Sequence, residues 1–263
     1  PPRSTLFPYT TLFRSGDITT ESTTPDNSEI TAEIHAVEKL VFAGSEIIPH
    51  CFGQNCQVTI NHKNGAMLSK GDVIGVVTGS AREILSRERI MLNLIQRLCG
   101  IATLSHEYAE IAKPSNVKIL DTRKTTPGLR LFEKYAVAIG GAFNHRLNLS
   151  DGILIKDNHI VTAGSVTNAI ISARKKGIHL PLELEVDNFD QIHEALKTGV
   201  DGFLLDNMKP ETIRSAVSII RASQNGEDVF IEASGGITLE NIHPYLDIRS
   251  EEHTSELQSR AYL

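Results

Sequence analysis

The sequence predicts an α/β protein in two parts, a small N-terminal α/β sandwich followed by an incomplete α/β barrel lacking its closing strand. Three observations carry this reading. From Val117 onward, short apolar runs alternate with amphipathic stretches, and strands recur at roughly 20 to 35 residues, the rhythm of right-handed βαβ units in a parallel sheet. No Gly-x-Gly-x-x-Gly fingerprint interrupts the repetition, which favours a barrel over a doubly wound sheet. The strand pattern stops near Tyr245, where one more strand would be needed to close the seam.

Size and charge narrow the function classes. A chain of 263 residues buries a substantial core, and 40% hydrophobic with 22% charged residues suits a soluble globular protein. A formal charge of −6 argues against a general nucleic-acid binder, whose phosphate contacts need a cationic excess. Any bound anion must therefore meet locally concentrated cations. The three cysteines Cys51, Cys56 and Cys99 have neither zinc-knuckle spacing nor an even count for a disulfide framework, so reduced thiols in a cytoplasmic protein are expected. No apolar run reaches the roughly 18 residues of a membrane span, and no signal-peptide plan is visible, so neither membrane nor nucleic acid is an expected partner.

Taken in order, residues 1–15 fit no periodic element and contain the near-repeat Thr5-Leu-Phe-Pro and Thr11-Leu-Phe-Arg; residues 249–263 are equally unrelated to what precedes them. Both ends read as non-native tails resembling translated adapter sequence, natural disordered tails being the alternative, and are set aside. Residues 16–113 form the expected sandwich with its linking helices, and residues 114–248 the barrel. Within the first part, 30–37, 57–60 and 72–77 alternate as strands, with glycine turns at Gly65 and Gly71. The turn Lys70-Gly71-Asp72 is like that of lipoyl carrier domains, but no modifiable lysine tip accompanies it. From Ser80, apolar residues recur at helical spacing, with Ser80 as cap and Glu83 as its partner. Gly100 is expected to end or kink that helix, and Pro114 to stop the next. In the barrel, strands are expected at 117–120, 142–147, 152–155, 182–186, 202–205 and 229–233, with helices at 131–139, 166–176, 189–196 and 210–223.

The C-terminal ends of barrel strands face one mouth. Here they carry Arg123 and Lys124; Asn144, His145 and Arg146; Lys156 and His159; Glu183 and Glu185; Asp206 and Asn207; and Ser234-Gly235-Gly236. Singly, each cation is a solvated loop charge and each histidine a hydrogen-bonded structural one. Together they make a cationic ring with a minority of carboxylates, suited to a ligand with several negative charges and a divalent metal. Ser234-Gly235-Gly236 before a helix is a candidate phosphate nest. Glu183 and Glu185 are expected on opposite faces of their strand, only one of them inward.

These same tips carry a family resemblance. Asp121-Thr-Arg-Lys-Thr-Thr-Pro-Gly128, Asn144-His-Arg146, Leu154-Ile-Lys-Asp-Asn-His159, Glu183-Leu-Glu185, Leu205-Asp-Asn-Met208 and Glu232-Ala-Ser-Gly-Gly-Ile237 resemble quinolinate phosphoribosyltransferases, and the likeness runs from Gly16 to about Tyr245. The resemblance implies a type II phosphoribosyltransferase fold, a homodimer, Mg²⁺, and transfer of phosphoribose from phosphoribosyl pyrophosphate to quinolinate with decarboxylation. Nicotinate mononucleotide, pyrophosphate and CO2 are the implied products, a step of NAD biosynthesis. It further implies that Arg123, His145, Arg146 and Lys156 hold the quinolinate carboxylates and that Arg97 reaches the neighbouring subunit's site. By the same likeness Lys124 contacts substrate and pyrophosphate, Glu185 and Asp206 lie near the ribose and Mg²⁺, and Ser234 and Gly235 bind the 5′-phosphate. Lys124, Lys156, Glu185 and Asp206 are thus the expected catalytic residues.

Two departures stand out: the family's N-terminal helix before Gly16 is lacking, and its Ser-Val-Gly-Ala-Leu-Thr-His-like loop after Tyr245 is replaced. The second is expected to weaken the phosphate site and leave a strand edge unpaired, making this chain poorly active or unstable. Two other readings compete: a related type II enzyme for another aromatic acid such as nicotinate, or a non-catalytic binder of phosphorylated ligands. Three arginines, Arg97, Arg123 and Arg146, exceed what one carboxylate requires, which favours quinolinate.

Overall fold

The computed structural model describes residues 16–248 and the backbone of 249–250 and 257–260; the expectations for residues 1–15 and for the rest of the final segment lie outside the described residues. The chain divides into two compact units, one running to His106 and including Thr125–Gly141, the other made of Glu107–Lys124 and everything from Ala142.

The first unit holds, in chain order, α1 (Ile18–Thr23), β1 (Glu29–His35), β2 (Leu40–Val41), α2 (Ile48–Cys51), β3 (Cys56–Ile60), β4 (Met67–Leu68) and β5 (Val73–Ser80). Asp17 caps α1 by accepting from the Thr20 amide at 3.0 Å. β5 is the centre of an antiparallel sheet of order β1-β5-β3, and β2 pairs with β4. Gly79 in β5 has φ +144°, and a Cβ there would lie 2.2 Å from the Asn55 carbonyl oxygen, so only glycine lets the strands approach.

The helix α3 (Ala81–Ala112) runs unbroken through Gly100, against expectation. A lone interior glycine costs only about 1 kcal/mol relative to alanine. The buried stripe Met91, Ile95, Leu98 and Ala102 continues past it, and nothing lies close enough to force a kink. Ser80 caps the helix as expected, its Oγ accepting from the Glu83 amide at 3.4 Å, but the Glu83 carboxylate turns to the Gly53 amide instead of completing a capping box, and the Ser80 amide donates to the Asn55 carbonyl. Pro114 does stop it: Lys113–Ser115 form a 3₁₀ turn closed by Asn116 at φ 51°. The next helix, α4 (Arg130–Ile139), packs Ala136, Phe132 and Ile139 into the same core as Leu98 and Ala102.

The second unit contains β6 (Lys118–Leu120), β7 (Ile153–Ile155), α5 (Asp157–Ala163), α6 (Val166–Arg174), β8 (Leu182–Val186), α7 (Phe189–Thr198), β9 (Gly202–Asp206), α8 (Pro210–Arg221), β10 (Phe230–Ser234), α9 (His243–Ser250) and β11 (Leu257–Arg260). Its sheet is parallel, in the order β6-β11-β10-β9-β8-β7. Phe143 bridges Leu120 on the other edge of β6. That makes seven staves, and among the described residues no ladder joins β7 to Phe143, so the barrel is incomplete.

Three expectations are corrected here. The seam between β6 and β10 is not vacant: β11 pairs with both, Ile231 opposite Leu257 and Gln258 opposite Lys118. Ladder pairing asks only for extended backbone with its N–H and C=O groups available, so an unfamiliar sequence can fill the place. Residues 142–147 do not form a strand. Phe143 exchanges two bonds with β6, to the Ile119 oxygen at 2.8 Å and from the Asp121 amide at 3.0 Å, but the His145 amide then donates to the Asp121 side chain at 2.8 Å. A carboxylate replaces the next rung, and the chain turns away. Finally, Glu183 and Glu185 share one face of β8, as residues two apart on a pleated strand must. Both contact side chains from other strand tips, while Leu182, Leu184 and Val186 are fully buried on the opposite face.

Candidate active site

The tip of each barrel strand is shaped by local chemistry. After β6, the Thr122 hydroxyl accepts from the Lys124 amide at 3.0 Å and sets the Arg123-Lys124 turn. After Phe143, Asp121 (5% exposed) anchors the His145 main chain, and Arg146 donates through NH1 to the Gly152 carbonyl at 3.0 Å. After β7, Lys156 is the residue from which α5 starts, and its amide donates to His159 Nδ1 at 2.9 Å. His159 is thus the structural histidine expected. The Lys156 ammonium is ion-paired with Glu185 at the end of β8.

At the ends of β9 and β10 the tips lock together. Ser234 donates its hydroxyl to Asp206 Oδ1 at 2.6 Å, and Asn207 donates Nδ2 to Oδ2 of the same carboxylate at 2.6 Å. Asn207 takes the left-handed conformation that asparagine tolerates, φ 53°. Gly235 has φ +103°, and a Cβ there would lie 2.2 Å from Asn207 Oδ1. A side chain would therefore displace the amide that steadies Asp206.

Arg123, Lys124, His145, Arg146, Lys156, Glu185, Asp206 and Ser234 line one cavity of about 180 Å³, together with Thr122 and Leu154. Eight of the ten residues singled out from the sequence are thereby brought together, with Gly235 adjacent to Ser234. Arg97 belongs to the other unit. There its Nε and NH2 bind Glu133 Oε1 at 2.7 and 2.6 Å, and NH2 also donates to the Thr126 hydroxyl at 2.6 Å.

Beneath the mouth lies a group that sequence reasoning quoted without assigning. His145 Nε2 is 3.4 Å from Glu183 Oε2 and 3.8 Å from Glu232 Oε1, and both carboxylates are buried, with 4% and 2% residue exposure. Their inward placement follows from strand parity with Glu185 and Ser234, a signal present in the sequence. A second cavity of about 310 Å³ is lined by His145, Arg146, Glu183 and Glu232 with Leu120 and Ile153 among others. His145 therefore borders both cavities.

The oxygen donors Glu185 and Asp206 are a hard set at the rim of a cationic cavity. They suit Mg²⁺, which takes one or two carboxylates and completes its shell with water and substrate phosphates. Among the described residues no helix is long and apolar enough to cross a membrane.

Comparison with known proteins agrees with this geometry. The family model for the quinolinate phosphoribosyl transferase C-terminal domain matches residues 101–253, and that for the N-terminal domain matches residues 17–99. A probable nicotinate-nucleotide pyrophosphorylase (carboxylating) of Bacillus subtilis is 44% identical over 232 residues, covering 87% of this chain and 78% of the relative. The nicotinate-nucleotide pyrophosphorylase (carboxylating) of Mycobacterium leprae is 38% identical over 234 residues, 87% of this chain and 82% of the relative. Among solved structures, the nicotinate-nucleotide pyrophosphorylase of Ehrlichia chaffeensis superposes with a TM-score of 0.86 at 35% identity, covering 95% of this chain and 88% of that one. The type II phosphoribosyltransferase architecture expected from the sequence is the one observed. The chain belongs to the quinolinate phosphoribosyltransferase family, pentosyltransferases that act on quinolinate and phosphoribosyl pyrophosphate to form nicotinate mononucleotide for NAD biosynthesis.

Proposed function

We propose that the mouth of the second unit seats both substrates and that its charges divide the work. Arg123, His145 and Arg146 hold the two carboxylates of quinolinate, the guanidinium forks fixing the plane of the ring so that its nitrogen faces C1 of the ribose. Lys156 leaves Glu185 for a substrate carboxylate, and Glu185 then faces the sugar. Positive charge that develops on the ribose as pyrophosphate departs is stabilised by Glu185 and Asp206. Lys124 meets the leaving pyrophosphate. Main-chain amides at Ser234 and Gly235 cradle the 5′-phosphate. When bound, Mg²⁺ neutralises charge on the pyrophosphate, and Glu185 and Asp206 would hold it through the substrate. No protein nucleophile is required.

The observation that supports this reading best is the convergence of four cations from three strand tips and two carboxylates from two others on a single cavity. The enzyme works as a cytoplasmic homodimer without membrane or nucleic-acid partners, and Arg97, oriented by Glu133, reaches the partner subunit's mouth. Replacing Arg146 by Ala tests the assignment. Loss of a charge-assisted pair is expected to weaken quinolinate about 10- to 100-fold, with phosphoribosyl pyrophosphate affinity retained. Unchanged quinolinate affinity in a titration would remove Arg146 from the site.

A further inference from the structure

Decarboxylation leaves an unpaid chemical requirement. When the carboxylate at C2 of the pyridinium departs as CO2, the C–C bond breaks and its electron pair stays on C2, beside the positively charged ring nitrogen. The product carries hydrogen at that carbon, so a proton must be delivered there. Until it arrives, CO2 can add back.

The mouth offers few donors. The guanidinium groups of Arg123 and Arg146 do not give up protons in proteins. Lys156 is paired with Glu185 before substrate binds and is given to a substrate carboxylate in the reaction proposed above, where Lys124 lies on the pyrophosphate side. His145 differs from all of them in what stands behind it. Its Nε2 faces two buried carboxylates, Glu183 Oε2 at 3.4 Å and Glu232 Oε1 at 3.8 Å. Both contacts are made through Nε2, so the two glutamates hold the ring from behind. The carboxylates come from β8 and β10, and the main chain of His145 is fixed by Asp121 at the end of β6, so three strands set the ring's position. The ring borders the substrate cavity on one side and the deeper cavity on the other.

We propose that His145 is the acid that protonates C2 once CO2 has left, and that Glu183 and Glu232 are positioning residues that hold its ring for that transfer. The proton passes from the imidazolium to the C2 electron pair, a C–H bond forms, and solvent restores the proton to the ring. General acids of this kind contribute on the order of 10²–10⁴-fold. The inference rests on the phosphoribosyl-transfer reading of the same mouth.

The test separates the two halves of the reaction. Single turnovers of the 263-residue chain and of its Glu183→Gln, Glu232→Gln and double variants are followed with quinolinate labelled at the 2-carboxylate. Pyrophosphate and CO2 are timed independently, and the dicarboxylated nucleotide is sought by mass spectrometry. Glutamine keeps the shape of each side chain, and an intact pyrophosphate burst reports a folded mouth. With quinolinate saturating, so that weaker binding through His145 does not limit the first step, pyrophosphate release is expected within about threefold of the parent, while CO2 release falls about tenfold in each single variant and about 100-fold in the double, with the dicarboxylated nucleotide accumulating. CO2 keeping pace with pyrophosphate in the double variant overturns the proposal. So does an equal slowing of both products, which would mean that the pair merely shapes the quinolinate site. No pyrophosphate from the parent would instead overturn the phosphoribosyl-transfer reading, and the inference with it.

Discussion

Asp121 is the residue on which the substrate tip after Phe143 hangs, although it touches no substrate in the proposed arrangement. Its carboxylate is buried and accepts the His145 amide at 2.8 Å, in the place where a strand rung would otherwise be. Asp121→Ala removes a hydrogen bond to a charged group, worth about 1.5–3 kcal/mol by the usual range. At about 1.4 kcal/mol per tenfold, release of the His145-Arg146 tip should weaken quinolinate binding about 10- to 100-fold. Asp121→Asn keeps an acceptor of the same shape without the charge, so a loss of about tenfold or less is expected. The assay is calorimetric titration of quinolinate and, separately, of phosphoribosyl pyrophosphate, alongside a melting curve. The 5′-phosphate end of the mouth is built from β9 and β10, so pyrophosphate-sugar affinity should stay within about threefold. Equal weakening of both ligands, or no effect of Asp121→Ala on quinolinate, would refute this account of the tip.

Other expectations follow from the same structure. Gly235→Ala forces a Cβ to within 2.2 Å of Asn207 Oδ1 at φ +103°, so phosphoribosyl pyrophosphate should bind at least about tenfold more weakly, read by titration, with quinolinate little affected. In the first unit the Tyr135 hydroxyl donates to Glu46 at 2.8 Å and, followed by the Asn64 amide, holds that carboxyl below its usual range. A depressed folded-state value stabilises above the unfolded value near 4.3 and loses that contribution as pH falls. Tyr135→Phe should therefore cost under about 1 kcal/mol at pH 7 for so exposed a carboxyl, with the gap to the parent closing on acidification. A gap in urea-unfolding free energy that is independent of pH would contradict it. Chelation of divalent metal should stop pyrophosphate release while leaving quinolinate affinity in place.

The βα rhythm was legible because buried parallel strands and amphipathic helices write different periods into the sequence. The helices α4, α6, α7 and α8 accordingly fall within two residues of where their patterns place them. The strand tips were legible for a related reason: cations that end apolar runs have few structural uses. The mistakes are physical. Gly100 signals a break only where no continuous buried stripe overrides its modest helix cost. Residues 142–147 look like a strand until the side chain of Asp121, distant in sequence, takes the His145 amide. Glu183 belongs with Glu185 by simple parity, and that parity, applied to Glu232 and Ser234 as well, leads to the carboxylate pair beneath His145. β11 was hidden because ladder pairing leaves little mark on side-chain pattern in a four-residue strand.

The central claim is that this mouth transfers phosphoribose to a dicarboxylate. It is tested most directly by measuring pyrophosphate formed from phosphoribosyl pyrophosphate and Mg²⁺ with quinolinate and, in parallel, with nicotinate. The account predicts pyrophosphate together with equimolar CO2 and nicotinate mononucleotide from quinolinate, and at least about 100-fold less from nicotinate, whose single carboxylate leaves part of the cationic cluster unmatched. Equal turnover of the two acids, or pyrophosphate formed without CO2, would contradict it.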